Sequence, residues 1–314
     1  MTDRLSRGAL LAGSGALFAA TSFGGRGIGS AQAQPVLKIA GAMTEGLCEA
    51  YYAEELGLLK SHGLNAEVRI LQSAAVMATA VVSGDLHIGT SNVLTVGQAH
   101  ARNIPLVIIA SESMHDKRFP NSAVCVAKSS SITSPKDLTG KSVAVSTLSG
   151  LEALSVKALI DQAGGDVAAV KFIEMGPLLV PDAIVTGKID AGVLAEPYLS
   201  NMKDRTREIG SGDDAIGVHT IQTVWYCMRS WLDANKDTAR RFADAMYAAG
   251  DWVAKNPEKA ALVLKKYIGI DEPHAYAHFS PKQDVAGIQV VFDAAVRYKA
   301  LPPINAADFV WDGK

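Results

Sequence analysis

The sequence predicts an α/β protein made of two similar units, each a mostly parallel sheet flanked by helices, with the chain crossing between them twice. Three observations carry this. Short apolar strands alternate with helical runs from Val36 onward. The alternation stops in a polar, turn-rich stretch, "SESMHDKRFPNSAVCVAKSSSITSPKDLTGKSVAVSTLSG", and then restarts. A second polar-then-β stretch, "SGDDAIGVHTIQTVWYCMRS", precedes a helical C-terminal part.

In the first unit "VLKIAG" reads as a strand and "EGLCEAYYAEELGLLKSHG" as a helix closed by Gly63. "NAEVRIL" is a strand, and "SAAVMATAVVSG" a helix opened by Ser73 and closed by Gly84. "LHIG", "NVLTVGQAHARN" and "PLVIIA" follow as strand, helix and strand. The second unit reads "KSVAVS", "GLEALSVKALIDQAGG", "AAVKFIEM", "LLVPDAIVTGK", "DAGVLA", "PYLSNMKD" and "TREIG", strands and helices in turn. Three helices close the chain: "DTARRFADAMYAAGDWVAKN", "PEKAALVLKKYIG" and "KQDVAGIQVVFDAAVRYKA". The two helix-poor stretches are expected to be the crossings. Residues 34–121 with 219–314 then form one discontinuous lobe and 122–218 the other.

Residues 1–33 have the grammar of a cleaved export signal. Arg4 and Arg7 make a basic start, "GALLAGSGALFAATSF" is a mostly apolar stretch, and Ala31-Gln32-Ala33 is a small-x-small cleavage site before Pro35. The apolar run is too short and too rich in Gly and Ser for a transmembrane anchor, which needs about 20 residues. Leu5-Ser6 separates the arginines, so the choice between general and twin-arginine export stays open. No cysteine stands at the cleavage point to take a lipid.

The 314 residues leave room for about two domains. A net charge of −2 without a basic cluster, and 6% aromatic residues, give no footprint for nucleic acid. Cys48, Cys125 and Cys227 match no metal spacing and read as buried thiols, although a Cys125–Cys227 bridge remains open in an oxidising compartment. His62, His87, His100 and His115 share no ligand spacing, so neither a metal nor another cofactor is expected.

The stretches "YYAEELGLLKSHGLNAEVRIL", "VVSGDLHIGTSNVLTVGQAHARNIPLVIIA", "SPKDLTGKSVAVS" and "AIVTGKIDAGVLAEPYLSN" stand in an order that resembles the periplasmic solute-binding proteins of ABC importers. The resemblance spans about residues 36–265. It is strongest to the group for aliphatic sulfonates, taurine and nitrate and the related group for thiamine pyrimidine precursors. It implies a type II periplasmic binding fold, hinge closure on one small-molecule ligand, a monomer, and transient docking on an ABC permease in the inner membrane. It does not fix the solute.

Ligands of open parallel sheets bind beyond the carboxyl ends of the strands. Here those ends are Met43-Thr44-Glu45-Gly46, Gln72-Ser73-Ala74, Thr90-Ser91-Asn92, Ser146-Thr147-Leu148-Ser149-Gly150, Met175-Gly176-Pro177 and Ala195-Glu196-Pro197. Most precede a helix, whose free N–H groups hold polar heads. The ligand-binding candidates are therefore Thr44, Glu45, Ser73, Ser91, Asn92, Ser146, Thr147, Ser149, Met175 and Glu196, with Trp225 as an optional wall for a flat ligand. Each has a plainer alternative. Ser73, Ser91 and Asn92 read equally as helix caps, Glu196 as a structural or closure residue, and Trp225 as core. Glu45 would repel a sulfonate or nitrate but accept from an amine or a ring N–H. None of the six loops contains Arg or Lys, which leaves Arg118, Arg229 or backbone groups for an anion.

Catalysis is not expected. The chain lacks a G-x-S-x-G elbow, an H-E-x-x-H pair, a phosphate loop, and the cysteine cluster of the pyrimidine synthases that resemble this group. A soluble sensor that presents its ligand-bound form to a membrane receptor would have the same cleft.

Overall fold

Two five-stranded sheets organise the chain in the computed structural model, which describes residues 35–71, 74–269 and 271–314. The proposed export signal and Ser73 lie outside the described residues. The strands are β1 Leu37–Ala42, β2 Ala66–Leu71, β3 Ile88–Asn92, β4 Leu106–Ser111, β5 Met114–Asp116, β6 Ser122–Ala127, β7 Ser142–Val145, β8 Lys171–Glu174, β9 Ala191–Ala195, β10 Thr206–Gly210, β11 His219–Ile221 and β12 Thr223–Met228.

The first sheet runs β2-β1-β3-β12-β4 and the second β10-β6-β9-β7-β8. β1 pairs parallel with β2 and β3, while β12 pairs antiparallel with β3 and β4. β7 pairs parallel with β8 and β9, and β6 pairs antiparallel with β9 and β10. Each sheet thus has one opposed strand, and in each case it is the strand entered from a crossing. A crossing delivers the chain at the edge where the other strands end, so the next strand runs back.

The two crossings touch each other. β5 and β11 pair antiparallel, with Thr220 opposite His115. His115 Nε2 lies 2.8 Å from Asp214 Oδ1, and Lys117 N–H donates to the Val218 carbonyl at 3.0 Å. The double connection is therefore a hydrogen-bonded ribbon.

Both faces of each sheet are covered, which is why the strands read as continuous apolar runs. Along β12, Trp225 and Cys227 pack on one face, and Val224 and Tyr226 on the other. Along β6, Val124 and Val126 face one core while Ala123 and Cys125 face the other. Cys125 and Cys227 stand in different sheets and are free, as is Cys48, so the disulfide left open by the sequence does not form.

Two elements differ from the sequence reading. The expected long helix after β1 is three pieces: a 3-10 turn Glu45–Leu47, a helix Glu49–Glu55 and a short helix Leu58–Ser61. Gly57 breaks it by adopting φ 67°, the left-handed region open to glycine. The strand expected at Leu86–Ile88 instead begins at Ile88 and continues through Asn92. Thr90-Ser91-Asn92 is strand rather than loop, pairing with Trp225, Val224 and Thr223 of β12.

Candidate functional site: an acidic cleft between the sheets

The carboxyl edges of the two sheets open on a shared cleft of about 880 Å³. That volume suits a small organic molecule, for which sites typically run to roughly 300–1,000 Å³. The first sheet contributes Met43–Gly46 after β1, Asn92 at the end of β3, and Thr223 at the start of β12. The second contributes Ser146 and Thr147 after β7, Met175 after β8, and Ala195–Tyr198 at the end of β9. Tyr276 and Ala277, in the segment before the last helix, close another side. A smaller pocket of about 190 Å³ beside His87 and Trp231 contains none of the predicted residues.

Of the sequence candidates, Thr44, Glu45, Asn92, Ser146, Thr147, Met175 and Glu196 line the cleft. Three described candidates do not. Ser91 is 1% exposed in β3, the central strand of the first sheet, whose two faces are both covered. Ser149 is exposed, and its carbonyl accepts from Gln98 Nε2 at 3.3 Å. Trp225 is 0% exposed, edge-on to Phe242 with ring centres 5.2 Å apart, and belongs to the core. The period of two along β12 put Trp225 and Tyr226 on opposite faces, and both faces are covered.

Much of the local polarity is already committed. The Asn92 side chain caps the helix Val93–Ala101, accepting from Thr95 N–H at 2.8 Å. Ser146 gives both donors to Glu152, the hydroxyl to Oε2 at 2.6 Å and the N–H to Oε1 at 3.2 Å. Ser122 donates to Asp213 Oδ2 at 2.6 Å, and Ser200 to Glu196 Oε1 at 2.8 Å. Glu45 Oε1 accepts from Tyr276 N–H at 2.5 Å and Ala277 N–H at 2.9 Å, tying the start of the first helix to the segment before the last. Burial pushes the carboxyls of Glu45 and Glu152 above their ordinary value, against these donors.

Among the described residues that line the cleft there is no Lys, Arg or His, while Glu45, Glu152, Glu196, Asp213, Asp271 and Glu272 are present. Arg118, held in reserve for an anion, is turned to Asp116, with Nη2–Oδ2 at 2.5 Å. Arg229 does not line the cleft either. Neutral polar and apolar side chains make up the rest, the apolar ones including Leu178 at 73% exposure and Met43 at 50%.

Sequence reasoning missed Glu152, Asp213, Tyr198 and Tyr276. Glu152 lies six residues beyond Ser146 in the same loop-to-helix turn, a spacing that allows the carboxyl to fold back on the loop. Asp213 sits in "SGDD", read only as part of a crossing. Tyr276 lies in "DEPHAYAHF", an irregular stretch with no periodicity to place it.

Two buried acids lie close to the lining in sequence. Glu49 and Glu112 are both 0% exposed; Glu112 precedes the lining residue Ser113, and Glu49 stands three positions beyond the lining residue Gly46. Thr90 Oγ1 donates to Glu112 Oε2, and Trp225 Nε1 to Glu49 Oε2 at 2.8 Å. Burial raises both carboxyls, Glu112 to about 8 and Glu49 well above its ordinary value, the latter also through repulsion by Glu112. No group of three or more His, Cys, Asp or Glu able to hold a metal ion occurs among the described residues.

The fold is the periplasmic binding protein fold. The chain belongs to the NMT1/THI5-like family, whose model matches residues 46–260. It is 22% identical over 223 residues to a binding protein of Brucella abortus, covering 70% of this chain and 67% of that one. It is 23% identical over 201 residues to the taurine-binding periplasmic protein of Escherichia coli, covering 63% and 61%. Its fold superposes on the periplasmic aliphatic sulphonate binding protein SsuA of Escherichia coli with a TM-score of 0.72 at 17% identity, over 88% and 92% of the two chains.

Proposed function

We propose that this protein is the periplasmic solute-binding component of an ABC uptake system, which captures a small organic solute in the cleft by hinge closure. The observation that carries the reading is the cleft itself, lined by strand ends of both sheets. A solute that touches both sheets binds the closed form better and shifts the population toward it. Residues 34–121 with 219–314 would move as one lobe and residues 122–218 as the other, with the β5–β11 ribbon as the hinge. The closed form then docks on a permease in the inner membrane. Similarity to a taurine-binding periplasmic protein and to SsuA supports the mode of action and the compartment. Among the described residues no helix is long and apolar enough to cross a membrane.

The state of the thiols speaks against cysteine-based catalysis. All three thiols are buried, and burial raises Cys125 and Cys227 to about 12 and Cys48 well above the usual thiol value.

A thermal-shift screen of sulfonates, nitrate, pyrimidines, amines and small aromatic acids tests the reading, followed by small-angle scattering with each hit. A true ligand raises the melting temperature by mass action and shrinks the radius of gyration. A tight ligand that leaves the radius unchanged overturns hinge closure. Amino-terminal sequencing of the exported protein should begin at Gln34.

A further inference from the structure

Resting on the reading of the cleft as the solute site, the geometry points to a cationic ligand: a small solute with a protonated nitrogen head on an apolar or aromatic body. Three observations carry this. The first is the composition of the wall, six carboxylates and no Lys, Arg or His among the described lining residues. The second concerns the donors an anion would need. The turn after β7 is where an anion would sit at a helix N-terminus, yet the N–H and hydroxyl of Ser146 are spent on Glu152, and Leu148 N–H donates to Glu174 Oε2 at 3.2 Å. The chain's own carboxylates thus take two N–H groups and one hydroxyl of this turn. Across the cleft, Tyr276 and Ala277 N–H are likewise spent on Glu45.

The third observation is how the remaining groups are placed. Glu45, Glu196 and Glu272 line the cleft together with Tyr276, and Glu45 Oε1 accepts from the Tyr276 N–H, so carboxylates from both proposed lobes face the same space. A cation there meets opposite charge from both sides, although the Tyr276 ring itself packs against His274, with ring centres 4.3 Å apart. Met175 and Leu178 offer apolar surface for the rest of the molecule. Closing the lobes without a cation would bring these carboxylates together and repel; a cation removes that penalty, so the same charges select the ligand and couple it to closure.

The test reads the cleft's potential without needing the natural ligand. Thr147, exposed on the cleft wall, is changed to Cys in the full mature chain. The three native thiols are buried and should stay silent. The new thiol is reacted with a trimethylammonium-ethyl and with a sulfonate-ethyl methanethiosulfonate, and the rate ratio is compared with that of free cysteine. We expect the ratio to favour the cationic reagent by about tenfold or more, as an acidic cleft concentrates cations, and to fall when Glu196→Gln is added. A ratio equal to that of free cysteine, or one favouring the sulfonate, overturns the inference.

A matched set then reads binding: benzamidine, benzamide and benzenesulfonate by calorimetry. Tightest binding of benzamidine, weakened about tenfold or more by Glu45→Gln, supports the proposal, and tightest binding of benzenesulfonate sinks it. When none of the three binds, the reagent ratio decides. The capture reading fails separately, if a bound probe leaves the scattering radius unchanged.

Discussion

The indole N–H of Trp225 donates to Oε2 of Glu49 across 2.8 Å, and both side chains are 0% exposed. Burial and the neighbouring Glu112 hold the Glu49 carboxyl well above its ordinary value, against the indole donor, which favours the carboxylate. Its other oxygen, Oε1, lacks a hydrogen-bond partner among the described residues. It faces the bare Cα of Gly250, where an added Cβ would lie 3.0 Å away. Glu49→Gln keeps both the shape and an acceptor for the indole, so its urea unfolding should stay within about 1 kcal/mol of the parent. Glu49→Ala strands the indole N–H and leaves a cavity, and should cost about 2–4 kcal/mol. Equal losses in the two variants would remove the hydrogen bond from this account.

The same pair of buried acids makes stability depend on pH. The Glu112 carboxyl is raised from 4.5 to about 8. Its contribution is fully present below 4.5, where folded and unfolded chains are both protonated. Between 4.5 and 8 the unfolded chain loses the proton and the folded chain keeps it. Stability therefore falls with rising pH, by up to about 1.4 kcal/mol per pH unit for one such group. Glu49, also raised, acts with the same sign. His87 and His278 are lowered by burial and act in the opposite sense only below 6.5. The clean window is therefore pH 6.5 to 8. Urea midpoints should fall across it, and Glu112→Gln should flatten the slope. A flat profile in the parent protein counts against the buried pair.

Ser146 and Ser149 were equivalent as hydroxyls in one loop, and the structure separates them. Ser146 holds Glu152 at 2.6 Å, whereas Ser149 is exposed. Ser146→Ala should destabilise the unliganded protein by about 1 kcal/mol and weaken ligand binding by unfixing Glu152. Ser149→Ala should leave both the melting temperature and the calorimetric affinity unchanged. A loss of affinity in Ser149→Ala would mean that the hydroxyl turns inward on closure and would redraw that wall.

The layers and crossings were legible because they follow from local rules. Apolar runs bounded by Gly and polar turns marked β1, β4, β7 and β9, and a break in the alternation marked each passage between sheets. The cleft was legible only where it coincides with strand ends: Thr44, Glu45, Ser146, Thr147, Met175 and Glu196 fall there by topology alone. Long-range partnerships left no local mark. Thr90 looked like a loop hydroxyl, yet it is buried in β3 and donates a hydrogen bond to Glu112, 22 residues on. Gly89 beside it looked like a turn signal, but it is bare because a Cβ there would lie 2.9 Å from Met77 Cγ. Tyr276 reached the site from a stretch without periodicity, across 231 residues from Glu45.

Two hydrogen bonds donated by side chains join the proposed lobes away from the β5–β11 ribbon. Tyr298 Oη donates to Asp161 Oδ2 at 2.7 Å, and Gln98 Nε2 to the Ser149 carbonyl at 3.3 Å. Tyr298 follows the helix Val285–Arg297, and Asp161 lies on the helix Leu151–Gln162 of the second lobe. The first contact is charge-assisted and shorter, so it should bear more of the lobe-to-lobe attachment. Tyr298→Phe removes the hydroxyl and keeps the ring, which packs with the first sheet's core. A net loss of about 0.5–1.5 kcal/mol should move the lobe equilibrium toward the open form by roughly two- to tenfold. Affinity for any ligand that closes the cleft should drop by up to the same factor, and the radius of gyration without ligand should rise. Asp161→Ala should do the same, and the double variant should fall short of the sum, because both changes delete one bond. Full additivity, or an unchanged radius in both single variants, would show that this pair does not restrain the lobes.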